Sequence, residues 1–146
     1  MDLPSLGWDA RLESLFLESR AAGRVHARVV EKHRRTYTVL TAEGEWAGQC
    51  RRSFLEGGGT VPALGDWVAA RPLPGERKAL IEAVLPRLTR FSRKQAGEET
   101  LEQVVVANVD VVFLVAALGR EFNLRRLERA LALAFASGAR PVVLLN

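Results

Sequence analysis

The spacing of hydrophobic residues along this chain changes character twice. In residues 9–21, DARLESLFLESRA, Leu12, Leu15, Phe16 and Ser19 share a face at the helical period, and Gly23 follows as a stop signal. From residue 24 the period becomes two. RVHARVVEK (24–32) alternates, with Val25, Ala27 and Val29 on one side. TYTVLT (36–41) is β-branched and aromatic, and EWAGQC (45–50) follows it after the tight AEG turn. GDWVAARP (65–72) and ALIEAVL (79–85) complete five short strand candidates separated by turn-rich pieces. Five such strands in about sixty residues predict a small barrel. The OB-fold, a five-stranded Greek-key barrel, is the leading candidate and an SH3-like barrel the rival. The longest gap, between the third and fourth strands, is where an OB-fold often carries an extra element.

The second change comes at Pro86. Residues 86–103, PRLTRFSRKQAGEETLEQ, are polar, basic at first and then acidic, and read as a linker. VVVANVDVVFLVAAL (104–118) is too continuously apolar for a half-exposed strand. NLRRLERALALAFASGAR (123–140) is an amphipathic helix with Asn123 as its N-cap, Leu124, Leu127, Leu131, Ala134 and Phe135 as its stripe, and Gly138 just past its end. PVVLL (141–145) is a second continuous apolar run. Strand, helix and strand, with both strands apolar on both faces, predict one βαβ unit of a parallel sheet. One helix cannot cover both faces of two such strands, so this part reads as unfinished. The expected organisation is an N-terminal helical segment (1–23), a barrel (24–88), a linker (89–103) and the start of an α/β domain (104–146).

Composition adds little to that picture, and charge adds more. With 48% hydrophobic and 26% charged residues, the profile is that of a globular chain, and no window holds eighteen consecutive apolar residues. The N-terminal residues lack a basic stretch followed by an apolar core, so no secretory signal is expected and the cytoplasm is the expected compartment. Cys50 is the single cysteine, which excludes an internal disulfide and a C-x-x-C zinc site. Residues 1–95 carry sixteen basic and eleven acidic side chains, whereas residues 96–146 carry five and six. The basic excess therefore lies in the first part, where a polyanionic partner is plausible beside a merely solvated basic surface.

EGGGTVPALGD (56–66) is glycine-rich but has no G-x-x-x-x-G-K-[ST] and reads as a plain loop. EKHRRTY (31–37) puts Lys32, His33, Arg34 and Arg35 at a hairpin tip beside Tyr37. Arginine forks bind phosphates and a surface aromatic can stack a base, with core packing as the alternative for Tyr37. Arg51, Arg52, Arg87, Arg90, Arg93 and Lys94 add further positive charge. Trp8, Trp46 and Trp67 read as packing residues and His26 as a structural histidine. No complete catalytic set and no metal-ligand cluster stands out.

PALGDWV (62–68), VLPRLTRFSRKQAG (84–97), EQVVVANVDVVFLVAAL (102–118), FNLRRLERALALA (122–134) and SGARPVVLLN (137–146) occur in this order. Together they resemble the ribosome small subunit-dependent GTPase A family, circularly permuted GTPases of small-subunit maturation. The resemblance implies an OB domain followed by a P-loop-type GTPase domain whose N-K-x-D guanine motif precedes its P-loop and switches, and then a zinc-binding C-terminal domain. It implies that Asn146 is the asparagine of N-K-x-D and contacts guanine, and that this chain is the front part of such a GTPase. GTP and Mg²⁺ are then the expected ligands of the complete protein, with no catalytic, magnesium or zinc residue in these residues. The expected partners are the small ribosomal subunit and its rRNA, with no membrane, and the complete protein is expected to be a monomer. By position the loop Lys32–Arg35 best matches the RNA contact that the resemblance implies; with the neighbouring aromatic and basic residues read above, the expected RNA contacts are Lys32, His33, Arg34, Arg35, Tyr37, Arg51 and Arg52. The alternative is a stand-alone OB-type RNA-binding module that hydrolyses no nucleotide.

Overall fold

A computed structural model describes residues 2–34, 36–94, 102–119 and 122–146; the side chains of 52, 53, 93, 94 and 102 lie outside this description. The chain divides into two units, Met1–Pro86 and Arg87–Asn146.

The first unit opens with a short 3-10 turn, Pro4–Leu6, and helix α1, Ala10–Ala21. Asp9 caps α1 by accepting from the Leu12 amide at 2.8 Å, which satisfies one of the unpaired donors of its first turn. Strands β1 (Val25–His33), β2 (Thr36–Thr41), β3 (Gly44–Cys50), β4 (Trp67–Pro72) and β5 (Lys78–Val84) close into a barrel in the order β1-β2-β3-β5-β4. The β3–β5 pair is parallel, and the β1–β2, β2–β3, β4–β5 and β1–β4 pairs are antiparallel. This is the OB arrangement and not the SH3-like one. The extra element between the third and fourth strands is helix α2, Arg52–Glu56.

Inward residues alternate as the period-two pattern requires. Ala27, Val29, Tyr37, Val39, Trp46, Val68, Ala79 and Ile81 form the barrel core. Gly48 lies on the inner face of β3, where a Cβ would stand 3.0 Å from Val39 Cγ1 and 3.3 Å from Ile81 Cδ1. Only a glycine lets those neighbours pack so closely. A second cluster, Leu12, Phe16, Trp67, Ala69 and Leu85, fastens α1 to the barrel. At about 1.5–3 kcal/mol for each large apolar side chain fully buried, Phe16 and Trp67 dominate that attachment.

In the second unit the linker expected over 89–103 is corrected. Strands β6 (Arg90–Lys94) and β7 (Glu102–Ala107) pair there as an antiparallel hairpin; residues 95–101 lie outside the described residues. The apolar run 104–118 is two strands, not one. Asn108, in the left-handed region at φ 54°, separates β7 from β8 (Val111–Ala116). Its side chain accepts from the Leu88 amide at 3.0 Å, and the Thr89 hydroxyl bonds both the amide and the carbonyl of Val109. Helix α3 (Leu124–Ser137) is capped by Asn123, which accepts from the Arg126 amide at 3.0 Å, and ends on Gly138 at φ 86°. Strand β9 (Arg140–Leu145) runs parallel to β8, in register from Val111↔Arg140 to Ala116↔Leu145. The expected strand–helix–strand unit is present. Phe113 and Val115, which share one face of β8, are 63% and 68% exposed, and Leu144 beside Val115 is 44% exposed.

Candidate functional site

Alternation along β1 and β2 decides which tip residues reach solvent. The hairpin turns at Arg34, which adopts the left-handed region at φ 54°. Thr36 closes the turn by donating its hydroxyl to the His33 carbonyl at 2.9 Å. Because Thr36 pairs with Gln49 in the β2–β3 register, the exit of β3 lies beside the tip. His33, Arg34 and Arg51 are therefore brought to one end of the barrel, and all three are exposed. Glu31 also belongs to this end: its carboxylate lies 3.5 Å from His33 Nε2 and accepts from the Thr38 hydroxyl at 3.0 Å.

Two residues expected at this surface are elsewhere. Tyr37 is 5% exposed and packs in the barrel core, so it offers no face for a base. Thr36 points out, and Tyr37, Val39 and Thr41 point in. Burial, with the neighbouring Cys50, pushes the Tyr37 phenol up to about 12, and burial also raises the Cys50 thiol. Lys32 is half-buried and turns back along the barrel wall. Its ammonium donates to the Pro62 carbonyl at 2.9 Å and lies 5.8 Å from the centre of the Tyr37 ring. It braces the loop before β4 instead of reaching outward. That loop is further fixed by buried Asp66, whose carboxylate accepts from the Ala63 amide at 2.8 Å.

Arg35 lies outside the described residues, as does the side chain of Arg52. Arg87 and Arg90 belong to the second unit, where Arg87 is half-buried and Arg90 exposed; the side chains of Arg93 and Lys94 are outside the description. Among the described residues no group of three or more His, Cys, Asp or Glu side chains could hold a metal ion.

His26 is enclosed by aromatic rings, as a structural histidine is. It stacks on Trp8 with centroids 4.3 Å apart and meets Phe16 edge-on at 5.1 Å. Its Nε2 is buried without a hydrogen-bond partner, and burial lowers its pKa. Sequence inspection did not single out the Arg24–Glu82–Arg71 cluster. Arg24 Nε donates to Glu82 Oε2 at 2.6 Å, and Arg71 Nε to Glu82 Oε1 at 2.8 Å. These two arginines hold the Glu82 carboxyl below its usual range, Arg71 more strongly. The residues are far apart in sequence, and no spacing signal joins Arg24 to Glu82.

Asn146 stands at the carboxyl ends of β8 and β9. Its amide donates to the Ala116 carbonyl at 3.0 Å, and its carbonyl accepts from the Leu118 amide at 2.7 Å. The backbone is thus held on both sides and the residue is exposed. Ligands of open parallel sheets bind beyond such strand ends.

Residues 84–146 match the family model described as RsgA GTPase. The chain is 45% identical over 157 aligned residues to the small ribosomal subunit biogenesis GTPase RsgA of Opitutus terrae, covering 100% of this chain and 43% of that protein. It is 38% identical to the protein of the same name from Syntrophotalea carbinolica, covering 100% of this chain and 42% of that one. Among solved structures, YjeQ from Thermotoga maritima aligns with a TM-score of 0.66 at 26% identity, over 84% of this chain and 41% of that one. YloQ, a circularly permuted GTPase, aligns with a TM-score of 0.61 at 20% identity, over 84% of this chain and 40% of that one, a likeness of fold. The chain spans about two fifths of the length of the curated relatives it matches, at their N-terminal part. An OB-type barrel followed by a βαβ unit, aligned along its whole length with about two fifths of proteins of that name, places this chain, as a part-length member, in the RsgA GTPase family.

Proposed function

We propose that this chain is the N-terminal portion of a GTPase that acts in biogenesis of the small ribosomal subunit. The barrel binds ribosomal RNA, and the second unit begins the GTPase domain. The observation that carries this reading is the alignment of the whole chain with small-subunit biogenesis GTPases. The bare apolar face at Phe113, Val115 and Leu144 supports it, because parallel strands are ordinarily covered on both faces. The complete protein binds GTP with Mg²⁺, works in the cytoplasm as a monomer, and carries its zinc site on residues outside this chain.

RNA phosphates meet His33, Arg34 and Arg51 at the barrel end, and Arg35 and Arg52 are further RNA contacts. Lys32 contributes by bracing the loop at Pro62, and Tyr37 by packing. Asn146 contacts the guanine base: a carboxamide offers donors and an acceptor to a base edge, and its backbone is fixed at the strand ends. Phosphoryl transfer needs a phosphate cradle, a lysine and a held Mg²⁺. None is assignable among these residues, so the chain by itself turns over no GTP. Co-sedimentation tests the reading: the purified chain should pellet with isolated small ribosomal subunits, not with large ones, and release no phosphate from GTP above a buffer blank. Equal binding to both subunits, or turnover that survives further purification, overturns it.

A further inference from the structure

At the barrel end away from the hairpin tip, a cleft of about 230 Å³ opens between α1 and the β2–β3 turn. Phe16, Trp46 and His26 line it together with Arg20, Arg24 and Glu43. Phe16 and Trp46 are almost fully buried and form its apolar wall.

The guanidinium groups here are differently committed. Arg20 directs Nη1 and Nη2 at Glu13, at 2.5 and 2.9 Å. Among the described residues Arg24 bonds through Nε alone, to Glu82. Its orientation is thereby fixed while its two terminal amino groups keep their donors for a ligand. Charge around the cleft is balanced: Arg20, Arg24 and Arg71 face Glu13, Glu82 and Glu43. A balanced site does not concentrate a free phosphate. It suits a neutral, planar group with two adjacent acceptors, small enough for about 230 Å³. An arginine fork recognises the O6 and N7 edge of guanine in this way, and single-stranded RNA presents unstacked bases to protein clefts.

We propose that this cleft receives one unstacked guanine of an RNA strand, with Arg24 on its O6/N7 edge. The proposal rests on the reading of the barrel as an RNA-binding unit and adds a second, base-selective contact on it. It makes Arg24 a specificity residue, Glu82 the residue that orients it, and the tip arginines a source of affinity alone.

The test uses the whole chain and two single-stranded RNA pentamers, UUGUU and UUAUU, titrated at one low salt concentration by calorimetry, with heteronuclear NMR reporting the site. The expected preference for UUGUU is about tenfold, at the lower end of what a bidentate arginine–base pair discriminates. Arg24→Gln should abolish the preference, and Ala42→Phe, which fills the cleft from the β2–β3 turn, should do the same without removing a charge. Arg34→Ala should weaken both pentamers alike and leave the preference intact. Shifts on binding UUGUU should include the Trp46 indole. Equal affinity for the two pentamers overturns the proposal. So does a preference that survives Arg24→Gln and Ala42→Phe, or shifts confined to residues 33–36 and 49–51. Failure of the chain to bind either pentamer would instead remove the RNA-binding reading on which the proposal stands. Binding of a tryptophan-containing peptide in the cleft, with no response to RNA, would reassign it to a protein partner.

Discussion

Replacing Phe113 and Val115 together by threonine should barely destabilise this chain and should sharply reduce its self-association. Both residues lie on the bare face of β8, where about a third of each side chain is covered. Complete burial of such side chains contributes about 1.5–3 kcal/mol each. A third of that is about 0.5–1 kcal/mol each, and threonine, being β-branched, suits a strand at both positions. The expected loss is therefore below about 2 kcal/mol for the pair. The same face is an apolar patch continuous with Leu144, and such patches drive association. Sedimentation velocity across a wide concentration range should show the parent chain associating and the variant remaining monomeric. Hydrogen exchange at Val112–Leu114 should change little between the two at low concentration. In a protein extending to the relatives' length, further segments should cover this face, and the same pair should then cost about 3–6 kcal/mol, the full burial of both side chains. A parent chain that stays monomeric at high concentration, with β8 and β9 amides as protected as those of the barrel, would refute the reasoning. So would a loss above about 3 kcal/mol in the chain alone, more than the exposed face can account for.

Asp66→Ala should destabilise the barrel unit by about 2–4 kcal/mol, because it deletes a charge-assisted bond and orphans the buried Ala63 amide; urea denaturation followed by tryptophan fluorescence measures it, and a loss under about 0.5 kcal/mol would contradict it. His26 has a lowered pKa in the folded state, so the unfolded chain binds the extra proton first. Stability of the first unit should be level above the ordinary histidine pKa of about 6.5 and fall as pH drops below it. His26→Phe should flatten that limb of the profile, and an unchanged slope would count against it. Gly48→Ala should lower barrel stability by about 1–3 kcal/mol through overpacking against Val39 and Ile81, and a chemical melt indistinguishable from that of the parent would show that the core yields.

Elements with a regular period were legible in the sequence. The five barrel strands, α1 and α3 each repeat apolar residues at one spacing, and Asn123 and Gly138 mark the ends of α3 by type and position. The region 89–103 failed because β6, RFSRK, has one apolar residue in five and its partner β7 lies across residues that carry no strand signal. The break inside 104–118 had a visible marker, since asparagine tolerates the left-handed region that Asn108 adopts. Continuous apolar character on either side concealed it. At the candidate site, counting by twos from buried Val39 places Tyr37 inside, and that count outweighs the attraction of an aromatic beside arginines. Lys32 was not legible, because its partner is a backbone carbonyl thirty residues away. The clustering of Arg34 with Arg51 depends on β2–β3 register, which a sequence does not fix by itself.

The salt dependence of RNA binding tests most directly whether this barrel end is an RNA-binding surface. Binding of the chain to a small-subunit rRNA fragment should weaken steeply as salt rises, because each neutralised phosphate releases counterions. Arg34→Ala combined with Arg51→Ala should lower affinity and reduce the slope of log K against log salt by about 1.5, two contacts at roughly 0.7–0.9 each. A slope unchanged from that of the parent chain would remove Arg34 and Arg51 from the interface and contradict the account.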